Sequence, residues 1–337
     1  MGDALGAGIE FEWIEDILRR FGPGGSTDYV EAYGRRGAIT DDTQMTLFTA
    51  EGLLRARVRV AREGVVDVLA IVDHAYARWL QTQGERSPRW DRDAQDGWLI
   101  GVGDLHHRRS PGRTCLSALR AERAGSVAQP LNDSKGCGGV MRIAPVGLVG
   151  EAGGDPFYLG CALAALTHGH PSGYLAAGAL AMAIARLLAG EPLDAALDAA
   201  EARLPERPGH EETLGALHAA RALAASGAAP GPEAVATLGA GWVADEALAI
   251  GVYGALVARD YAHGVLVAAN HSGDSDSTAA IAGSILGMTL GPDAIPPAWL
   301  AELELRDEIE RLAADWVAAF GADGSLPAGL AERYPGW

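Results

Sequence analysis

Apolar residues recur three and four positions apart along nearly all of this 337-residue chain, and the alternation that a half-buried strand requires is almost absent. Asp42–Val60 shows the period plainly, with Met45, Phe48, Leu53 and Leu54 on one side. The same spacing runs through Val65–Leu80, Leu159–Thr167, Gly173–Leu188, Ala195–Leu204, Thr213–Ala225, Asp245–Val257, Tyr261–Asn270 and Ser277–Leu290. A last helix is expected over Pro297–Phe320. Gly/Pro-rich punctuation falls at "FGPGGSTDY", "RSPGRT", "KGCGG", "THGHPSGY" and "AASGAAPGPEA", the last read as a surface loop. The pattern predicts an all-α protein of many helices with no clear linker. No fixed-period repeat is visible, which disfavours a solenoid.

Length alone allows one large domain or two ordinary ones; with no linker in sight, residues 1–337 are expected to form a single compact domain. Hydrophobic residues make up 48% of the chain, enough for a sizeable core built mostly from Ala, Leu and Val. The net charge of −17 argues against a nucleic-acid backbone as partner and against an anionic membrane surface. It fits a cytoplasmic protein, or one that concentrates cations. Cys115, Cys137 and Cys161 form no CxxC pair, so neither a disulfide framework nor a thiolate zinc site is expected, and a reducing compartment is the simpler reading. The start, "MGDALGAGIEFEW", lacks the basic region and apolar run of a signal peptide. No uncharged apolar run of about 18 residues appears, so no membrane span is expected. A monomer is the expected state.

Two helix starts carry an oddity. "GAITDDTQMTLFTAEGLL" puts Thr40, Asp41 and Asp42 before an apolar helix, and "NHSGDSDSTAAIAGSILG" puts Asp274, Asp276 and Ser277 before another. Helix capping explains each alone, since Thr is a good N-cap and acidic groups suit the first turn. Yet adjacent carboxylates repel, the flanking segments are apolar enough to bury them, and buried like charges need a cation or a proton. Together the clusters offer four carboxylates and two hydroxyls. These are hard oxygen donors, suited to Mg²⁺ or Mn²⁺ better than to zinc. Four negative charges would balance two divalent ions in a binuclear site. Spacing alone does not establish that the clusters converge. In the second helix Ala279, Gly283 and Gly287 form a stripe of small residues, read as close packing.

Three further stretches carry weaker signals. "GDALGAGIEF" holds Asp3 and Glu10 with glycines at 2, 6 and 8, suggesting a tightly packed helix start, since no strand precedes it and the GxGxxG spacing is missing. Glu10, between Ile9 and Phe11, is either an acid or base of raised pKa or a surface group at a helix end. In "NDSKGCGGVMR" small residues expose backbone N–H groups ahead of an expected helix, an arrangement that can cradle phosphate or be an ordinary glycine turn. "THGHPSGY" offers His168, read as contacting or orienting a substrate, and His170, read as structural.

These motifs, in this order and together with "GWVADEALAIGVYGAL", resemble those of the ADP-ribosylglycohydrolases, with the strongest likeness to the bacterial dinitrogenase reductase-activating glycohydrolases. The resemblance runs from the first residues to about Leu290. It implies an all-α fold of a dozen or more helices around a dimetal cleft, and hydrolysis of a bond joining ADP-ribose to an acceptor. By motif, Thr40, Asp41, Asp42 and Asp276 resemble the ligands of one ion, and Asp274, Asp276 and Ser277 those of the other, with Asp276 bridging. Glu10 matches a glutamate that approaches the metals. Ser134, Lys135, Gly136, Cys137, Gly138 and Gly139 match the loop that wraps the diphosphate, and His168 a histidine near the bound ribose. Some relatives place an aromatic residue against the adenine where Lys135 stands, so adenine stacking has to come from elsewhere here. Glu10, or an acid of "WDRDAQD" (Asp91, Asp93, Asp96), is expected to handle proton transfer. The implied substrate is an ADP-ribosylated protein or small molecule, foremost ADP-ribosyl-arginine on protein. The alternatives are a catalytically inactive family member, ADP-ribose-binding or structural, and a terpene-synthase-type diphosphate enzyme. The latter is disfavoured because Met45 stands where DDxxD chemistry needs its third carboxylate.

Overall fold

The computed structural model describes residues 1–90, 96–150, 153–321 and 326–335. Among these the only β-type pairings are two isolated bridges, Ala32 with Arg35 and Gly136 with Val243. All else is helix and connection. In chain order the helices are α1 (Gly2–Gly6), α2 (Ile14–Phe21), α3 (Asp41–Glu63), α4 (Val68–Thr82), α5 (Arg113–Leu119), α6 (Ala144–Val149), α7 (Pro156–Ala165), α8 (Pro171–Leu188), α9 (Leu193–Arg203) and α10 (Glu211–Ala225). They continue as α11 (Pro232–Ala236), α12 (Ala244–Leu256), α13 (Tyr261–Ala269), α14 (Ser275–Leu290), α15 (Pro297–Glu302), α16 (Arg306–Phe320) and α17 (Leu330–Arg333).

The core forms where small residues let helices approach. α8 packs on α7, α6 and α9, α12 on α10 and α14, and α13 on α14. Gly178 and Gly160 open the α7–α8 seam: a Cβ on Gly178 would overlap Cys161 Sγ. The Ala- and Leu-rich composition thus becomes close helix packing, in which every methylene is felt. Contrary to the expectation from uncharged runs, α8, which contains Arg186, is long and apolar enough to cross a membrane, but 83% of it is buried inside the fold. As a buried core helix it has its apolar surface covered by protein.

One expected element is broken. Pro297–Phe320 is two helices, α15 and α16, separated by a turn in which Leu305 adopts a left-handed φ of 56°. The reason is Glu304. Its carboxylate turns inward, accepts from the Ile39 amide at 2.9 Å and pairs with Arg109 at 3.0 Å. Its own amide donates to Gly37 O at 3.0 Å. A continuous helix would lose these bonds, which fix the segment leading into Thr40. Sequence periodicity also passed over the short helices α2, α5, α6 and α11. "AASGAAPGPEA" is as expected, with residues 226–230 exposed between α10 and α11.

The N-terminal glycines act as "GDALGAGIEF" predicts. A Cβ on Gly2 would run into the Ala279 carbonyl, and one on Gly6 into the backbone of Ser275 and Asp276. Their absence lets α1 lie directly on the first turns of α14. Ala279 and Gly283 of the small-residue stripe are part of this packing, Gly283 facing Tyr261 and Gly2; Gly287 faces open space.

Candidate functional site

A cavity of about 660 Å³ opens where the starts of α3 and α14 meet the segment after α1. Ser277 Oγ donates to Asp42 Oδ2 at 2.8 Å, joining residues 235 positions apart. Asp41, Asp42, Asp274 and Asp276 all line the cavity, and each is buried. Asp41 Oδ2 accepts from the Gly112 amide at 3.2 Å, Asp276 Oδ1 from the Ser277 amide at 3.0 Å, and Asp274 Oδ2 from the Cys137 thiol at 2.8 Å. Thr40 is fully buried behind the cavity wall, where its Oγ1 caps α3 by accepting from the Asp42 amide at 3.2 Å.

The α3 start is held from below by Asp3. Its carboxylate accepts from the amides of Thr40 and Thr43 at 3.1 Å and from the Thr43 hydroxyl. Capping, the ordinary explanation for acids at this helix start, is therefore done by Thr40 and Asp3, which leaves Asp41 and Asp42 facing the cavity. At α14 the geometry depends on glycine. Gly273 has a φ of 155° and lies so close to the Ala240 carbonyl that a Cβ would overlap it.

Glu10 reaches the same floor. It, Asp274 and Asp276 each present an oxygen within 4.8 Å of the others. Glu10 Oε2 is buried with no hydrogen-bond partner among the described residues. Burial, reinforced by the charges of Asp274, Asp41 and Asp3, pushes the Glu10 carboxyl up to about 9. Burial likewise lifts Asp41, Asp42 and Asp276 well above the usual carboxylate range, and Asp274 above it against the pull of its hydrogen bonds. Without a cation, such a cluster has to retain protons.

The glycine segment contributes in part. Gly136, Cys137 and Gly138 line the cavity. Cys137–Gly139 is one 3₁₀ turn, and α6 starts only at Ala144, so no helix N-terminus points out of the loop as the sequence suggested. The Gly136 and Cys137 amides are bound by Ser134 Oγ at 3.3 Å and Trp242 O at 3.2 Å. Ser134 stands behind the wall, bonded to Thr114 Oγ1 at 2.9 Å. Lys135 points away to Glu212 at 3.0 Å, and Gly139 packs against Ala164 and Gly173. His168 lines the cavity; its Nδ1 lies 2.9 Å from Thr167 Oγ1. Burial and the Arg142 guanidinium lower its pKa to about 3, so the ring is neutral near pH 7. His170 caps α8, accepting from the Ser172 amide at 3.1 Å.

Of the acids in "WDRDAQD", Asp91 and Asp93 lie outside the described residues. Asp96 does not line the cavity; it pairs with Arg55 at 3.1 Å. The expectation that it handles proton transfer is corrected accordingly: its charge is committed to the buried Arg55 and Arg78.

The structure adds residues that sequence reasoning missed. "RSPGRT", read only as punctuation, supplies Ser110, Gly112, Arg113 and Thr114 to the wall. Arg113 is exposed and has no ion pair among the described residues. At the mouth, Phe11 and Trp242 stack with ring centroids 5.5 Å apart and remain 68% and 41% exposed. Phe11 has a left-handed φ of 69°, an outlier of the kind that marks functional segments. Both aromatics lie within quoted motifs, but only the tertiary fold shows that they meet.

Comparison with known proteins gives the family and the fold. The family model described as ADP-ribosylglycohydrolase matches residues 1–325. The chain is 29% identical to the uncharacterized protein YegU of Escherichia coli K12, over 92% of this chain and 90% of that one. It is 26% identical to the ADP-ribosyl-[dinitrogen reductase] glycohydrolase of Rhodospirillum rubrum, over 92% and 89%. A solved structure titled ADP-ribosylglycohydrolase-related protein complex superposes with a TM-score of 0.61 at 25% identity, covering 96% of this chain and 94% of that one. The all-α fold and the match along nearly the whole chain lead to one conclusion: this protein belongs to the ADP-ribosylglycohydrolases, enzymes that hydrolyse glycosidic bonds to ADP-ribose.

Proposed function

We propose that residues 1–337 act as one catalytic domain that removes ADP-ribose from ADP-ribosyl-arginine on protein, in a reducing, cytoplasmic setting and as a monomer. The observation that carries this reading is the 2.8 Å contact between Ser277 and Asp42, which draws two acidic helix starts to the floor of one cleft. The protein acceptor rests on the likeness to the Rhodospirillum rubrum enzyme, whose name specifies dinitrogen reductase as its target; arginine as the modified side chain is what the resemblance of the motifs implies.

The donor set fits hard divalent cations. Five buried carboxylates converge with no ion pair among the described residues, and Glu10 Oε2 has no hydrogen-bond partner among them. Thr40, Asp41, Asp42, Asp274, Asp276 and Ser277 would hold two such ions, Mg²⁺ or Mn²⁺, with Asp276 shared. Bound there, they would supply positive charge that orients the ribose hydroxyls and offsets charge developing as the glycosidic bond breaks. Thr40 would contribute through the lone pair that its capping bond leaves free.

The chain's own side chains perform the rest. Hydrolysis adds water across the anomeric carbon–nitrogen bond, and one proton of the water ends on the leaving guanidine nitrogen. Glu10, at the edge of the floor with an unpartnered Oε2, is the group we assign to move that proton. His168, neutral, presents Nε2 beside Gly136 and Gly138 as a hydrogen-bonding group for the ribose. The Gly136–Gly138 edge receives the diphosphate, with Arg113 supplying a positive charge. The Phe11–Trp242 stack provides the flat apolar surface that Lys135 does not give to adenine. Ser134, Lys135 and Gly139 shape the loop from behind.

The test is Asp276→Asn. Divalent metal content, measured by mass spectrometry after gel filtration, is expected to fall together with ADP-ribose release from an ADP-ribosyl-arginine protein. Unchanged activity rules the reading out.

A further inference from the structure

Arg142 is a buried cation without a counter-ion. Its side chain is fully buried, and it forms no ion pair among the described residues. A charge so placed is costly unless other groups replace water around it. Nη2 donates to Thr167 Oγ1 at 2.7 Å, Cζ lies 4.2 Å from the centroid of the Tyr76 ring, and Nη1 faces Met45 Sδ and Cys115 Sγ at 3.4 and 3.5 Å. Nε is left without a partner among the described residues. Of these contacts, the one to Thr167 leads on to the cleft.

The Thr167 hydroxyl has one proton to give and two acceptors within reach, His168 Nδ1 at 2.9 Å and Ala164 O at 3.3 Å. Ala164 O already accepts from the amides of Thr167 at 3.1 Å and His168 at 2.9 Å, so both its lone pairs are occupied. A guanidinium only donates, so Thr167 accepts from Arg142, and this polarises the hydroxyl into a stronger donor. Its proton therefore goes to Nδ1, and the neutral ring carries its own proton on Nε2. Packing holds the ring in place: a Cβ on Gly138 would come 3.2 Å from Nε2, and one on Gly173 3.2 Å from His168 Cβ. His168 lines the cavity, and its Nε2 has no hydrogen-bond partner among the described residues.

We propose that Arg142 and Thr167 are positioning residues that fix His168 as a donor through Nε2–H, matched to an acceptor oxygen on the ribose of ADP-ribose. The identity of that ligand rests on the proposed function. The opposite tautomer would set the Nε2 lone pair against those of the oxygen.

Nitrogen-15 NMR of the full chain with labelled histidine reads the tautomer without substrate, the His168 signals being assigned by their loss in His168→Gln. At pH 7 the wild type is expected to carry the proton on Nε2 and none on Nδ1. Thr167→Val is expected to mix the tautomers and, by calorimetry with Mg²⁺ present, to bind ADP-ribose ~10-fold more weakly, about the effect of one hydrogen bond. Thr167→Ser keeps the hydroxyl and is expected to restore both readouts. Arg142→Met is expected to mix the tautomers as well. A wild-type ring protonated on Nδ1 overturns the proposal, and this arm stands even where a variant does not fold. A ring that stays wholly Nε2–H in Thr167→Val, or in Arg142→Met, removes that residue from the positioning role. An Nε2–H ring in a wild type that fails to bind ADP-ribose overturns the reading of the substrate instead.

Discussion

Asp3 shows how much one buried carboxylate can organise. It accepts two amides and a hydroxyl from the α3 start, bonds of the charge-assisted kind. It also adds its negative charge to a site already crowded with them, lifting the pKa of Asp41 and Asp42 further. Asp3→Ala therefore has two opposed effects: three donors lose their acceptor, and the neighbouring acids lose a repulsive charge. Excess Mn²⁺, on the proposed reading, offsets the repulsion, and the substitution is then expected to destabilise by about 2 kcal/mol. After chelation the loss is expected to be smaller. Urea midpoints in the two conditions check this, and equal losses would mean that Asp3 carries no electrostatic burden.

At the scale of elements, the site depends on how closely α1 can approach α14. Gly6 lies against the backbone of Ser275 and Asp276, which cannot move aside as a flexible side chain can. Gly6→Ala is expected to push α1 away, destabilising the fold by ~3 kcal/mol and weakening divalent-cation binding, since Asp276 moves with the backbone it displaces. Gly287 offers the contrast within α14 itself. It faces open space, so Gly287→Ala is expected to stabilise by about 0.5–1 kcal/mol through helix propensity and to leave cation binding alone. Thermal melts and metal titrations of the pair separate close packing from propensity.

At the scale of the whole molecule, a cleft with this many buried acids ties stability to pH and to cations. Glu10 has a folded-state pKa of about 9 against an ordinary 4.5. A carboxyl raised in this way contributes its full stability below about pH 4.5 and loses it as pH rises through about 9. The four aspartates shift in the same direction. The metal-free protein is thus expected to lose thermal stability between pH 5 and pH 9. On the proposed reading, added Mg²⁺ or Mn²⁺ is expected to bind the ionised folded form and restore it, so that the gap between cation-loaded and chelated melting temperatures widens as pH rises. A gap that stays constant or narrows would show that the acids do not act as cation ligands.

The sequence by itself determined the all-α class, the approximate limits of most long helices, and the four aspartates and Glu10 that line the cavity. Period and residue chemistry are local properties, and they survive into the fold wherever one helix face meets the core. Only the tertiary structure decided that Asp42 and Ser277 touch, that Lys135 turns away to Glu212, and that Asp96 is committed to arginines. It also decided that Glu304 breaks the last long helix and that Phe11 and Trp242 stack across the mouth. These outcomes pair residues far apart in the chain. Each depends on which partner burial brings within reach, and local periodicity carries no information about that choice.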